Sequence, residues 1–175
     1  MKNYLFKSDR LGFRNWHASD VDELAAINAD KEVMEFFPST RTLPETKTFI
    51  ERMQQQYAEK GFCYFAVDTL ETENLIGFIG LSEQNFAADF TPCIDIGWRL
   101  AKAVWNKGYA TETARASLEY GFNTLGLTEI IGRAVPQNVA SIRVLEKLNM
   151  MFWKHDVCEE IEDTVYYRIS KSEFS

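Results

Sequence analysis

The stretch Asp95–Leu125, DIGWRLAKAVWNKGYATETARASLEYGFNTL, decides how the rest of this 175-residue chain is read. Ile94, Ile96, Trp98 and Leu100 alternate with Asp95, Gly97 and Arg99, the two-residue period of a strand with one apolar face. From Ala110 the period changes. Ala110, Ala114, Leu118, Phe122 and Leu125 fall at helical spacing, and Gly126 follows as a C-cap. Between strand and helix lies Trp105–Thr111. The first turn of a helix leaves four backbone N–H groups without intrahelical acceptors and carries the positive end of the helix dipole. Gly108 and Ala110 are small enough to let a ligand reach that backbone, and Lys107 adds a full charge. Such a loop suits a phosphate or pyrophosphate. It equally suits a helix that merely starts after a tight turn.

Composition sets the outer bounds. A hydrophobic content of 46% with 14% aromatic residues is ample for one packed core, so residues 1–175 are read as a single domain, and disordered or fibrous classes are excluded. A net charge of −7 argues against nucleic acid as a partner, because phosphate backbones need a basic face. Cys63, Cys93 and Cys158 are scattered and form no C-x-x-C pair, which gives neither a disulfide framework nor a zinc site. His17 and His155 stand apart, so neither a metal cluster nor a histidine triad is expected. The opening MKNYLFKSDR has no apolar leader region, and no segment is apolar for long enough to cross a membrane. A cytoplasmic protein is expected.

Along the chain, Ser8–Trp16 reads as an opening strand with Leu11 and Phe13 on one side, and Ser19-Asp20 caps a helix running through Asn28. Lys31–Phe37 reads as a short helical piece ending at Pro38. Thr42-Leu43-Pro44-Glu45 is a capping box with proline in the first turn, opening a helix that Gly61 stops after Lys60. Phe62–Leu70 is a strand. Leu75–Gln84 is apolar on both faces, as in a central strand, with Gly77 and Gly80 allowing close packing or a bulge. Asn85–Cys93 is a loop. Glu129–Val135 is a buried strand, Val139–Leu148 a helix, and Met151–Cys158 and Thr164–Ile169 are closing strands joined by the acidic turn Glu159–Asp163.

A second motif lies at Pro136–Met150, PQNVASIRVLEKLNM. Asn138 falls at a helix N-cap and Ser141 three positions on, so two polar groups gather at one helix end, with capping alone as the simpler reading. WNKGYATETA resembles the acetyl-CoA signature of the GNAT N-acetyltransferases, a Q/R-x-x-G-x-G/A loop opening a helix. It resembles most the branch containing the ribosomal-protein-alanine N-acetyltransferases, whose loop is roughly W-G-K-G-Y-A-T-E-A. Gly108 and Ala110 match the small positions, Trp105 matches that branch, and Asn106 replaces a glycine. The second motif resembles the family's N-x-x-S/A-x-x-x-x-x-K-x-G-F through Asn138, Ser141 and Lys147, with Asn149-Met150 replacing Gly-Phe.

The resemblance implies the GNAT fold: α/β, with a mixed, mostly antiparallel central sheet, a splayed strand pair and helices on both faces. It implies direct transfer of an acetyl group from acetyl-CoA to a primary amine, either a peptide N-terminus or a small molecule such as a polyamine or antibiotic. A catalytically idle acyl-CoA-binding sensor is the alternative. It assigns the cofactor to Trp98, Leu100, Trp105, Asn106, Lys107, Gly108, Tyr109, Ala110, Thr111, Asn138 and Ser141, and the acceptor to Phe37 and Asp95. No metal is expected, and both monomers and homodimers fit.

The chemistry sets three tasks. An ammonium must lose a proton before it attacks. The oxyanion needs a donor, for which the resemblance points to a backbone N–H on Ile94–Leu100. The thiolate, of pKa about 8.5, then leaves with little acid help. Many enzymes of the family carry a tyrosine where this chain has Leu145, which leaves Ser141 as the proton donor. Asp95 and Glu83 are the candidate bases. Glu112, one turn into the signature helix, either pairs within the fold or touches substrate.

Overall fold

In the computed structural model, which describes residues 2–158 and 161–174, the strands form one eight-stranded sheet in the order β1-β2-β3-β4-β5-β6-β8-β7. They are β1 Phe6–Lys7, β2 Leu11–Arg14, β3 Tyr64–Thr69, β4 Leu75–Gln84, β5 Cys93–Leu100, β6 Glu129–Ala134, β7 Met151–Cys158 and β8 Ile161–Ser170. The helices are α1 Val21–Ala29, α2 Leu43–Lys60, α3 Tyr109–Glu119 and α4 Val139–Lys147. This is the GNAT fold expected from the sequence. Helices cover both faces of β4: Phe49 of α2 packs on Phe78, while Gly121, just past α3, lies against Leu81 on the opposite face.

The feature that positions the site is the junction of β5 and β6. Every other neighbouring pair is antiparallel, whereas β5 and β6 run parallel and pair only at Asp95↔Ile131 and Ile96↔Gly132. Beyond Ile96 the strands diverge, so Gly97–Leu100 stays paired with β4 alone. Gly77 lies where β3 and β4 shift register between Val67 and Asp68, at φ 136°, and a Cβ there would lie 2.1 Å from the Arg99 carbonyl oxygen. Both a bulge and a close approach therefore require this glycine.

Four local expectations are corrected. Ser8–Trp16 is not one strand: β1 begins at Phe6, the chain turns through Ser8–Arg10, and β2 is only Leu11–Arg14. Glu112 fixes that turn, accepting hydrogen bonds from Ser8 Oγ (2.7 Å), Arg10 N (2.9 Å) and Arg10 Nε (2.7 Å). Lys31–Phe37 is a run of turns rather than a helix, since only Met34 N–H makes an i−4 bond there before Pro38. The signature helix does not run evenly to Leu125. α3 ends at Glu119, and Tyr120–Thr124 is a π-helical turn that widens the coil while Phe122 stays buried. Asp163 belongs to β8 rather than to a turn, and Glu159 and Glu160 of the expected acidic turn lie outside the described residues.

Candidate acetyl-transfer site

Local sequence builds the signature loop in the way its small residues suggested. Gly108 sits at φ 80° as the N-cap of α3, with no side chain capping the helix, so the N–H groups of Tyr109, Ala110 and Thr111 begin the coil without an i−4 acceptor. Asn106, where the resembling motif has glycine, also takes a left-handed φ of 60°. Asparagine is one of the few side chains that visits this region readily. Trp105 anchors the loop by donating its Nε1–H to the Leu100 carbonyl at 2.9 Å, and the Arg10 guanidinium lies 4.5 Å over the Tyr109 ring. Lys107 is exposed. A cradle of this shape, open at Gly108 and rich in N–H groups, fits a pyrophosphate.

Glu112 is taken by structure. Burial pushes its carboxyl up, but the hydrogen bonds from Ser8 and Arg10 outweigh this and hold it below the usual range. At the second motif, Asn138 caps α4 and its Oδ1 accepts the Ser141 N–H at 3.1 Å.

The divergence of β5 from β6 opens into a cavity of about 590 Å³. Asp95, Gly97 and Trp98 line it from β5, Arg133 and Ala134 from β6, Asn138 and Ser141 from the start of α4, and Phe37 from the Lys31–Pro38 turns. Asp95, Ser141, Asn138, Trp98 and Phe37 are thus brought together around one space. Glu83 is not. It lies outside that cavity, pairs with Lys60 at 2.5 Å, and is held below the usual carboxylate range by that hydrogen bond. On β4 it sits opposite Ile94, one residue out of step with Asp95, whose partner is Ser82. Leu100 is buried at the far end of β5, where its carbonyl already holds Trp105.

Asp95 is almost fully buried and held from three directions. Tyr64 Oη donates to Oδ1 at 2.5 Å, Gln84 Nε2 donates to the same oxygen at 3.0 Å, and Arg133 Nε lies 3.5 Å from Oδ2. Burial raises its pKa, and the Arg133 charge and the hydrogen bonds oppose that rise without cancelling it. Burial and the neighbouring Asp95 charge push the Tyr64 phenol well above its ordinary value. A carboxylate with a raised pKa at the wall of a cavity is chemically suited to hold a proton.

Sequence reading missed Tyr64, Arg99 and Arg133. Tyr64 was readable as core, since it lies in an apolar strand. A signal was present in the glycines: Tyr64 pairs with Gly80, and Gly80 with Gly97. A Cβ on Gly97 would lie 2.9 Å from Tyr64 Cζ, so these two strands leave the space that the phenol ring covers to reach Asp95.

Comparison with known proteins agrees with this geometry. The domain family described as "Acetyltransferase (GNAT) domain" matches residues 10–151. The chain is 32% identical over 172 residues to the uncharacterized N-acetyltransferase YnaD of Bacillus subtilis (strain 168), covering 95% of this chain and 96% of that one. Among solved structures it is similar to the GNAT-family acetyltransferase of Bacillus anthracis, with a TM-score of 0.82 at 29% identity, covering 95% of this chain and 98% of that one. The fold also matches the spermidine N-acetyltransferase of Vibrio cholerae in complex with CoA and spermine, with a TM-score of 0.74 at 20% identity and coverage of 93% and 96%. The chain belongs to the GNAT acetyltransferases, and the protein is an acetyltransferase enzyme. Among the described residues, no helix is long and apolar enough to cross a membrane.

Proposed function

We propose that residues 1–175 act as one cytoplasmic domain that moves an acetyl group from acetyl-CoA directly to a primary amine. The observation that carries this reading is the cavity at the β5–β6 divergence, lined by Asp95 together with Asn138 and Ser141. Acetyl-CoA, when bound, supplies the acetyl group as an activated thioester. The Tyr109–Thr111 N–H groups and Lys107 hold its pyrophosphate, with Trp105 and Asn106 shaping the loop. Trp98 and Leu100 guide it along β5 towards Asn138 and Ser141. Ser141 orients the sulfur and returns a proton to it, directly or through water. Asp95 takes the proton from the incoming ammonium, and Tyr64 and Arg133 hold the carboxylate in place. Phe37 forms part of the acceptor wall.

For the acceptor, a peptide N-terminal amine comes first, because Trp105–Glu112 resembles the loop of the ribosomal-protein-alanine branch. A small amine is the second reading, favoured by a cavity of about 590 Å³, which is small-molecule size.

The test is thermal unfolding with acetyl-CoA, with ATP and NAD as controls. Saturation at about 100 times the dissociation constant adds about 2.7 kcal/mol, a rise of roughly 5–10 °C for a chain of this size. Gly108→Trp is expected to remain folded and lose the acetyl-CoA shift. A full shift in that variant removes the cradle from the reading, and the absence of thiol release with every amine tried sinks the transferase reading in favour of an acyl-CoA sensor.

A further inference from the structure

We infer that the acceptor cavity contains a carboxylate-binding subsite built on Arg99, with Arg41 at its outer edge. Under the small-amine reading of the site, the acceptor it selects is an amino-acid-like molecule whose carboxylate lies several bonds from the amine. This rests on the reading that the cavity receives the acceptor.

The first observation is the state of Arg99. Its guanidinium lies over the Phe37 ring at 4.3 Å and the Phe78 ring at 5.2 Å, and Nη1 donates to Asn28 Oδ1 at 2.7 Å. Nε is buried and has no acceptor among the described residues. A buried donor left unpaired is costly, and natural folds keep such groups where something else completes them. Burial pushes the guanidinium down to about 10, and the neighbouring Arg41 charge pushes the same way. Two arginines facing one space without a shared carboxylate make a receptor for an anion.

The second observation is the charge balance of the cavity. Four arginines line it, Arg41, Arg52, Arg99 and Arg133, against two carboxylates, Glu45 and Asp95. Both carboxylates are committed. Asp95 is held by Tyr64, Gln84 and Arg133, and Glu45 closes the Thr42 capping box while meeting Arg41 at 3.3 Å. The cavity thus has a positive surplus at its Arg99 end. A polyamine would bring a second cation to that end; a carboxylate neutralises it.

The third observation is register. Asp95, Gly97 and Arg99 lie on the same side of β5, and the Tyr64 ring, which a Cβ on Gly97 would meet at 2.9 Å, floors the cavity between Asp95 and Arg99. At about 3.3 Å per residue the two Cα atoms are about 13 Å apart. Two side chains that far apart in register are bridged by an acceptor whose amine and carboxylate lie several bonds apart, not by one that carries both on one carbon. An extended ω-amino acid or a dipeptide is such a molecule.

The test uses the full chain saturated with CoA, so that the phosphates of CoA cannot account for a carboxylate effect. The probes are 6-aminohexanoate, 6-aminohexanamide and 1,6-diaminohexane, of one length and three charges, with affinity read from thermal shifts. A charge-assisted contact predicts that the acid binds about tenfold to hundredfold tighter than the amide, with the diamine weakest. Thiol release from acetyl-CoA should follow the same order in kcat/KM. Arg99→Gln should erase the preference while keeping the acetyl-CoA shift, and Arg41→Gln, at an exposed position, should reduce it severalfold. Equal binding of the three probes, or the diamine best, with the acetyl-CoA shift intact, overturns the subsite and leaves the transferase reading standing. A carboxylate preference without any acetyl-CoA shift does the reverse. A tripeptide amide with glutamate third, compared with its glutamine analogue, separates the sources of the carboxylate. Discrimination there, with no binding of the ω-amino acid, overturns the small-molecule occupant.

Discussion

Asp95 carries opposing demands within one side chain. Its folded pKa is raised, first by burial, against the pull of Arg133 and the hydrogen bonds of Tyr64 and Gln84. A carboxyl raised in this way contributes stability that is fully present below its unfolded pKa and lost as pH rises through the folded pKa. At pH 7 the ionised Asp95 is therefore a net cost to folding. Asp95→Asn is expected to keep or raise the melting temperature at pH 7 while lowering kcat by about a hundredfold or more, the range for losing a general base. A clear fall in melting temperature at pH 7 would show that its hydrogen bonds outweigh its burial. At this scale the sequence was partly legible. Alternation in Ile94–Leu100 turned Asp95 away from the apolar face, and Asn138 and Ser141 declared themselves as cap and third position. Tyr64, Arg99 and Arg133 did not, because a two-residue period cannot separate a ring in a core from a ring that lies over Gly97. Glu83 had the right chemistry and the wrong side of β4.

The two ends of α2 were the most legible boundaries. Thr42 caps α2 with both halves of the capping box in place, and Gly61 ends the helix at φ 79°. Thr42→Ala is expected to cost about 1 kcal/mol, a fall of about 2–4 °C in melting temperature. It should leave acetyl-CoA affinity unchanged, because Thr42 lies far along the chain from the signature loop and is exposed. Two departures from the resembling motifs share one explanation. Asn106 and Asn149 stand where glycine was expected, and both take left-handed φ, at 60° and 61°. Asn106→Val is expected to destabilise the loop by about 1–2 kcal/mol, whereas Asn106→Gly should be tolerated. The π-helical turn was hidden for the opposite reason. Its extra residue leaves Leu118, Phe122 and Leu125 at spacings that an ordinary helix also uses. The turn shows itself in the i−5 bond from Leu125 N–H to the Tyr120 carbonyl.

The whole molecule is tied together by a cluster outside the cavity lining. Arg14 is buried and donates to Asp20 at 2.7 and 2.9 Å and to Asp68 at 2.7 and 2.9 Å, joining β2, β3 and the approach to α1. Removing one member of a buried ionic cluster leaves its partners uncompensated. Arg14→Ala is therefore expected to cost about 3–5 kcal/mol and to lower the melting temperature by roughly 10 °C, read by thermal unfolding. Element order was legible at this scale, since each strand and helix announces its own period. Which strands become neighbours was not, because pairing is settled by packing between residues distant in the chain. The brief parallel contact of β5 with β6 is the clearest instance, resting on two registered pairs. It leaves an unfinished rung series in the interior of a sheet rather than at its rim. An extended molecule carrying amide groups can lie along such a gap and be recognised by main-chain atoms that every residue possesses. Selectivity drawn from that source leaves no trace in composition or motif, and side chains around it are free to change while the docking line persists.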